Sequence, residues 1–143
     1  MVVFLDTSVL AKRYVSEFGS EEVDAYYIAD NQIVLAPITP IEIRSVFNRR
    51  LQEKSLSDSA VKAALSEWNK ERTQYLYQIF DDNLVKTAIE MISKFSLKSL
   101  DSIQLASASL FGIEEFVTAD KALAKAAESI LDVKTSLIHK NLY

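Results

Sequence analysis

Short, unbroken apolar runs alternate with longer stretches of helical period along the chain. Val2–Leu5 is such a run, and 33–36 and 116–118 read the same way, as buried strands, while 133–138 is expected as the last strand. Between them the apolar spacing predicts helices over 7–14 and 20–29, the latter with Glu21 and Glu22 in the first turn, where the helix dipole favours acids. Thr39 followed by Pro40 opens a helix reaching residue 54, because Thr is a good N-cap and Pro is preorganised for the first turn. Ser57 starts a long helix through Trp68 to about residue 73, 75–80 forms a strand or edge segment, and Asp81 and Asp82 cap a helix ending near Phe95. Ser99 caps a helix over 100–111 that stops at Gly112, and an alanine-rich helix spans 121–130. Strands separated by helices, with no hairpin signal between them, specify an α/β fold with a parallel sheet covered on both faces.

Composition narrows the picture. A chain of 143 residues with 49% apolar content supports one domain over 1–143 with a substantial core. Cysteine is absent and His139 is the single histidine, so disulfides, thiol chemistry and Cys/His zinc sites are excluded and a metal would have to bind oxygen. The N-terminal run meets Asp6 without a basic flank or cleavage site, and no stretch approaches the roughly 18 to 20 apolar residues of a membrane span. A soluble, cytoplasmic protein is the expectation. The net charge of −4 opposes nucleic-acid binding at first sight, but the 20 acids fall to 16 if four sit in one pocket, which balances the 16 bases. Lys12, Arg13, Arg44, Arg49, Arg50, Lys98, Lys121 and Lys125 also fall near the elements that carry those four acids.

The four are Asp6, Glu42, Asp101 and Asp120, each at or near the start of a predicted helix. In an open parallel sheet, ligands bind beyond the carboxyl ends of the strands, where Asp6 and Asp120 stand. Each acid also has a structural reading. Asp120 is a good N-cap, Glu42 has the T-x-x-E spacing of a capping box with Thr39, and Asp101 can complement a helix dipole. Asp6 is harder to dismiss, because a carboxylate directly after a buried strand is desolvated and needs a partner. Taken together, four such positions favour a divalent-metal site.

The runs Val3-Phe4-Leu5-Asp6-Thr7-Ser8, Pro40-Ile41-Glu42-Ile43, Leu100-Asp101-Ser102-Ile103-Gln104-Leu105-Ala106-Ser107-Ala108 and Phe116-Val117-Thr118-Ala119-Asp120 together resemble PIN-domain ribonucleases, most closely the VapC-type toxins. The resemblance covers essentially the whole chain. It implies a three-layer α/β/α sandwich, endoribonuclease activity on RNA with Mg²⁺ or Mn²⁺, and a homodimer held inactive by a small antitoxin. It also implies that Asp6, Glu42, Asp101 and Asp120 form the acidic pocket, with Thr7, Ser8 and Thr118 orienting ligands or waters. Ser102 stands where Ala is common in the family and Gln104 where His is frequent; neither change removes a carboxylate.

The residue types suit that chemistry. Mg²⁺ takes oxygen ligands at about 2.1 Å and keeps several waters, so a few carboxylates suffice and no protein nucleophile is required. Four crowded acids should raise one another's pKa values and attract a cation or a basic side chain, which is how an antitoxin Arg or Lys could inhibit. Other aspartate-based families fit less well. A haloacid-dehalogenase phosphatase needs a second Asp where Ser8 stands, a receiver domain needs an acid pair after the first strand, and a D-x-S-x-S metal site finds Leu10 at its last position. A degenerate PIN module that binds RNA or protein without cutting would have lost an acid, and none is lost.

Overall fold

The computed structural model describes residues 1–139; positions 140–143 of the expected single domain lie outside the described residues. Twelve elements follow in the order β1 (Val2–Leu5), α1 (Thr7–Tyr14), α2 (Ser20–Ile28), β2 (Gln32–Leu35), α3 (Thr39–Gln52), α4 (Asp58–Glu71), β3 (Leu76–Tyr77), α5 (Asp82–Phe95), α6 (Ser99–Phe111), β4 (Glu115–Thr118), α7 (Lys121–Ile130) and β5 (Lys134–Leu137). The five strands form one sheet in the order β3-β2-β1-β4-β5, every pair parallel.

Alternation along the central strands separates two cores. Val3, Leu5, Ile33, Leu35 and Val117 face one side, where Val9 and Leu10 of α1, Val23 of α2, Ile43 and Phe47 of α3 and Trp68 of α4 cover them. Phe4, Val34 and Phe116 face the other, under Leu84 and Met91 of α5, Leu105 of α6 and Leu123 of α7. Phe4 and Phe116 stack across β1 and β4 with ring centroids 5.5 Å apart. The result is the expected three-layer α/β/α sandwich, because strands buried on both faces need helices on each.

Topology sets where a ligand can enter. The chain starts at the sheet centre, runs outward through β2 and β3, then returns to build β4 and β5 on the other side of β1. The strand order therefore reverses between β1 and β4, and the crevice beyond their carboxyl ends is the switch point at which open α/β sheets bind ligands.

Two expected caps are corrected. Ile38, with helical angles (φ −89°, ψ −8°), occupies the cap position of α3, and Thr39 lies inside the first turn without capping it. Lys98, not Ser99, precedes α6, and the Ser99 carbonyl accepts a hydrogen bond from the Ser102 hydroxyl at 2.6 Å. Ser57 and Asp81 do cap, accepting the backbone N–H of Ala60 and Leu84. The segment expected as strand over 75–80 shortens to Leu76–Tyr77. Tyr75 turns into the core instead, where its hydroxyl meets those of Tyr14 at 2.5 Å and Tyr27 at 2.6 Å. Two glycines hold left-handed backbone as required: Gly112 (φ 82°) ends α6, and Gly19 (φ 88°) starts α2 where an added Cβ would lie 2.5 Å from Ile138.

Candidate active site

Asp6 and Asp120 come from the β1–α1 and β4–α7 junctions, Glu42 from the first turn of α3 and Asp101 from the first turn of α6. All four line one open cavity of about 720 Å³. Asp6 is fixed most tightly. Its N–H donates to the Val117 carbonyl at 3.1 Å, extending the β1–β4 ladder by one bond. Its Oδ1 accepts from the Ser8 hydroxyl at 2.5 Å and the Val9 N–H at 3.2 Å, which makes it the N-cap of α1 as well. Its Oδ2 accepts from the Thr118 hydroxyl at 2.6 Å. Thr118 Oγ1 in turn accepts the Asp120 N–H at 3.0 Å, and Ser8 Oγ accepts the Ala119 N–H at 3.1 Å. Ser8 and Thr118 thus tie the two strand ends together around Asp6.

Asp120 caps α7 through Oδ1, which accepts the Leu123 N–H at 3.0 Å. Capping and lining the cavity coexist in this side chain, because the cap uses one oxygen of two. Glu42 differs from its capping-box expectation. Its Oε1 accepts from the Thr7 hydroxyl at 3.0 Å and from the Gln104 side-chain amide at 2.6 Å, so it is held by α1 and α6 and not by its own helix start. Asp101 is half-buried and has no hydrogen-bonded partner among the described residues.

Burial raises the carboxyl pKa values. Desolvation pushes Asp6 from 3.8 up to about 6, against the hydrogen bonds from Ser8, Thr118 and Val9 that favour its charged form, and the charge of Glu42 pushes it further. Glu42 is raised by burial against the Gln104 and Thr7 bonds, with Asp101 adding repulsion. Asp101 is raised by burial and by Asp120, with Lys98 opposing. The expected crowding is therefore present as a relay of repulsions from Asp6 to Asp120, but desolvation is the larger cause. None of the ion pairs among the described residues involves any of the four.

Side-chain positions decide how a cation could be held. No three acids among the described residues close tightly enough around one point to enclose an ion as they stand. The donor set still fits a hard cation such as Mg²⁺, which binds through one or two carboxylates and retains water on its other faces. Of the bases expected near the acids, Arg49 and Arg50 reach the cavity wall, and Arg50 is paired with Glu17 at 2.7 Å. Lys12 pairs with Glu17, and Arg13 with Asp24 and Glu71, in part-buried ion pairs that occupy these cations away from the four acids. Gln104 and Thr39 join the site in addition to the expected residues, both fully buried. The sequence signal for Gln104 is its place three residues after Asp101, on the same side of α6.

Residues 3–129 match the PIN domain family. No curated protein sequence matches the chain. Among solved structures, FitAcB from Neisseria gonorrhoeae superposes with a TM-score of 0.67 at 18% identity, covering 94% of this chain and 96% of that one. VapBC2 from Rickettsia felis, bound to a DNA fragment from its promoter, gives 0.67 at 13% identity over 99% and 100% of the two chains. VapC20 from Mycobacterium tuberculosis, described as a sarcin-ricin loop cleaving toxin, gives 0.67 at 17% identity over 87% and 94%. At these identities the likeness establishes the fold. No helix among the described residues is long and apolar enough to cross a membrane.

Proposed function

The chain belongs to the PIN-domain family, and from that premise we propose that it is a metal-dependent endoribonuclease, the toxin of a VapC-type toxin–antitoxin pair acting in the cytoplasm. The observation that carries the reading is the convergence of Asp6, Glu42, Asp101 and Asp120, from four separate segments, on one open cavity at the switch point of the sheet. The cavity is open and has Arg49 on its wall, a cation that suits a phosphate. The structural neighbours include toxin–antitoxin complexes, which supports a protein partner.

A divalent cation held there, Mg²⁺ or Mn²⁺, would offset charge on the scissile phosphate and acidify an attacking water. The protein's own part is positional. Asp6, locked by three hydrogen bonds, presents a fixed anionic anchor without side-chain reorganisation. Glu42 is fixed through Oε1, which leaves Oε2 for the cavity. Asp101, half-exposed and without a hydrogen bond, is free to turn toward a ligand and to accept a proton from water. Asp120 contributes the oxygen not used by its cap.

The test is cleavage of an RNA substrate by the purified chain. EDTA should stop it, Mg²⁺ or Mn²⁺ should restore it, and Ca²⁺ should restore it poorly, because calcium prefers longer bonds and more ligands. Full activity in EDTA would exclude the metal mechanism. Two further expectations belong to the same reading. The chain should sediment as a homodimer at micromolar concentration, and a small antitoxin, expected from a neighbouring reading frame, should inhibit by placing a Lys or Arg among the four acids. A monomer would contradict the homodimer, and the absence of any such inhibitor would remove the toxin assignment while leaving the nuclease one standing.

A further inference from the structure

Gln104 lies at the floor of the cavity, 2% exposed, one turn beyond Asp101 on α6. Its side-chain nitrogen approaches three acceptors: Glu42 Oε1 at 2.6 Å, Thr7 Oγ1 at 3.0 Å and Thr39 Oγ1 at 3.4 Å. An amide nitrogen has two hydrogens, so the two shorter contacts take them. The Thr7 hydroxyl, accepting from Gln104, donates its own hydrogen to the same Glu42 oxygen. Glu42 Oε1 is therefore gripped by two donors from two other helices. The cost of the arrangement is visible at the opposite end of the amide, where Gln104 Oε1 is buried without a hydrogen-bond partner. Buried polar atoms are nearly always paired, so an orphan calls for a cause. Turning the amide over would set its carbonyl against the Glu42 carboxylate, acceptor against acceptor, and the orphan is the consequence of avoiding that.

From this geometry we infer that Gln104 is a positioning residue: a neutral donor that fixes Glu42 while leaving its negative charge uncancelled for a bound cation. A Lys or Arg at the same place would also hold the carboxylate, but as a counter-ion that competes with a metal. The inference rests on the metal-site reading of Glu42, yet the clamp can be tested without metal or RNA.

Three measurements on the full chain decide it. In the metal-free protein, the Gln104 side-chain amide protons should be protected from solvent exchange and should shift on Glu42→Gln. Fast exchange, or no shift, overturns the clamp whatever the metal does. Second, Gln104→Met keeps an unbranched side chain of similar length and removes both the donors and the orphan acceptor. The melting temperature without metal should fall only slightly, because the donor lost to Glu42 is offset by removal of the orphan acceptor, while Mn²⁺ binding measured by calorimetry weakens about fivefold. A clear fall in melting temperature with unchanged Mn²⁺ affinity would make Gln104 a packing residue and overturn the inference. Third, the same substitution in a Glu42→Gln background should cost little further Mn²⁺ affinity, because its effect passes through Glu42. Equal losses in both backgrounds would show that it acts elsewhere. Wild-type protein that binds no Mn²⁺ would instead defeat the metal-site reading, with the exchange measurement still judging the clamp.

Discussion

Two buried carboxylates sit on neighbouring strands and face opposite fates. Glu115, at the start of β4, is 2% exposed; Asp6, just past the end of β1, is 4% exposed. Glu115 Oε1 accepts from the Tyr26 hydroxyl at 2.7 Å and the Ser136 hydroxyl at 2.6 Å, and Lys134, its partner in the β4–β5 register, brings a cation to 3.7 Å. Asp6 is as well hydrogen-bonded, but the charge that acts on it is that of another acid, Glu42, and no cation pairs with it among the described residues. Hydrogen bonding therefore does not separate the two; the sign of the surrounding charge does. A buried acid that brings its own cation is part of the fold, and one surrounded by acids is built to receive a charge from outside.

The largest expected effect breaks Asp6. Asn is as good an N-cap, its carbonyl can keep the Val9 bond, and the Thr118 hydroxyl can rotate to accept from its amide, so Asp6→Asn should fold normally. RNA cleavage should fall by a factor on the order of 1,000, about 4 kcal/mol of transition-state stabilisation. A purified variant cutting at the wild-type rate would remove Asp6 from the site.

The pH dependence of stability sharpens the contrast next. The folded protein holds the Asp6 proton more tightly than an unfolded chain does, with a pKa of about 6 against 3.8. Its contribution to stability is thus complete below about pH 3.8 and is lost as pH rises through about 6. The full change is about 3 kcal/mol, taking 1.36 kcal/mol per pKa unit. Denaturant titrations in EDTA should show wild type losing stability relative to Asp6→Asn across that window, and a constant difference would contradict the desolvated carboxylate.

Glu115→Leu should give the reverse phenotype. It leaves the Tyr26 and Ser136 hydroxyls without their acceptor, at a cost of about 2 kcal/mol in unfolding free energy. Cleavage of RNA at a temperature where the variant is folded should stay near wild type. A stable but inactive Glu115→Leu would mean that both ends of β4 serve the reaction.

The two carboxylates were not equally legible. Asp6 follows a strand of Val, Phe and Leu, so its burial could be read from its neighbours, whereas Glu115 fell outside a strand expected to begin at Phe116. Helix starts were legible where the capping residue is also extended, as at Ser57 and Asp81. They were not at Thr39, which lies inside the first turn behind Ile38 and is fully buried beside Gln104, a residue from a helix 65 positions away. The T-x-x-E spacing was real but idle, because Thr7 and Gln104 compete for Glu42 from 35 and 62 positions away. Local spacing finds acids at element ends; which of them share a cavity depends on strand order, and the return of the chain to β4 across β1 leaves no local mark.

Glu42 gives the smallest and most discriminating effect, since it lies between the two extremes: half-buried, hydrogen-bonded through one oxygen, and repelled by Asp101. Glu42→Gln keeps an acceptor for Thr7 and Gln104, because the new amide can present its carbonyl to both, and no capping box exists to be lost. If Glu42 were a structural acid like Glu115, neither stability nor cleavage would move. As a member of the acidic pocket it should behave otherwise on both counts. Burial and Asp101 hold its pKa up, so ionised Glu42 costs the folded state stability at neutral pH, and neutralising it should leave the metal-free melting temperature unchanged or higher. Cleavage should fall by tenfold or more, about 1.4 kcal/mol. A Mg²⁺ titration separates the outcomes: a loss that saturating Mg²⁺ partly restores marks a weakened ligand, a loss that persists at every concentration marks a proton acceptor, and equal activity throughout returns Glu42 to the company of Glu115.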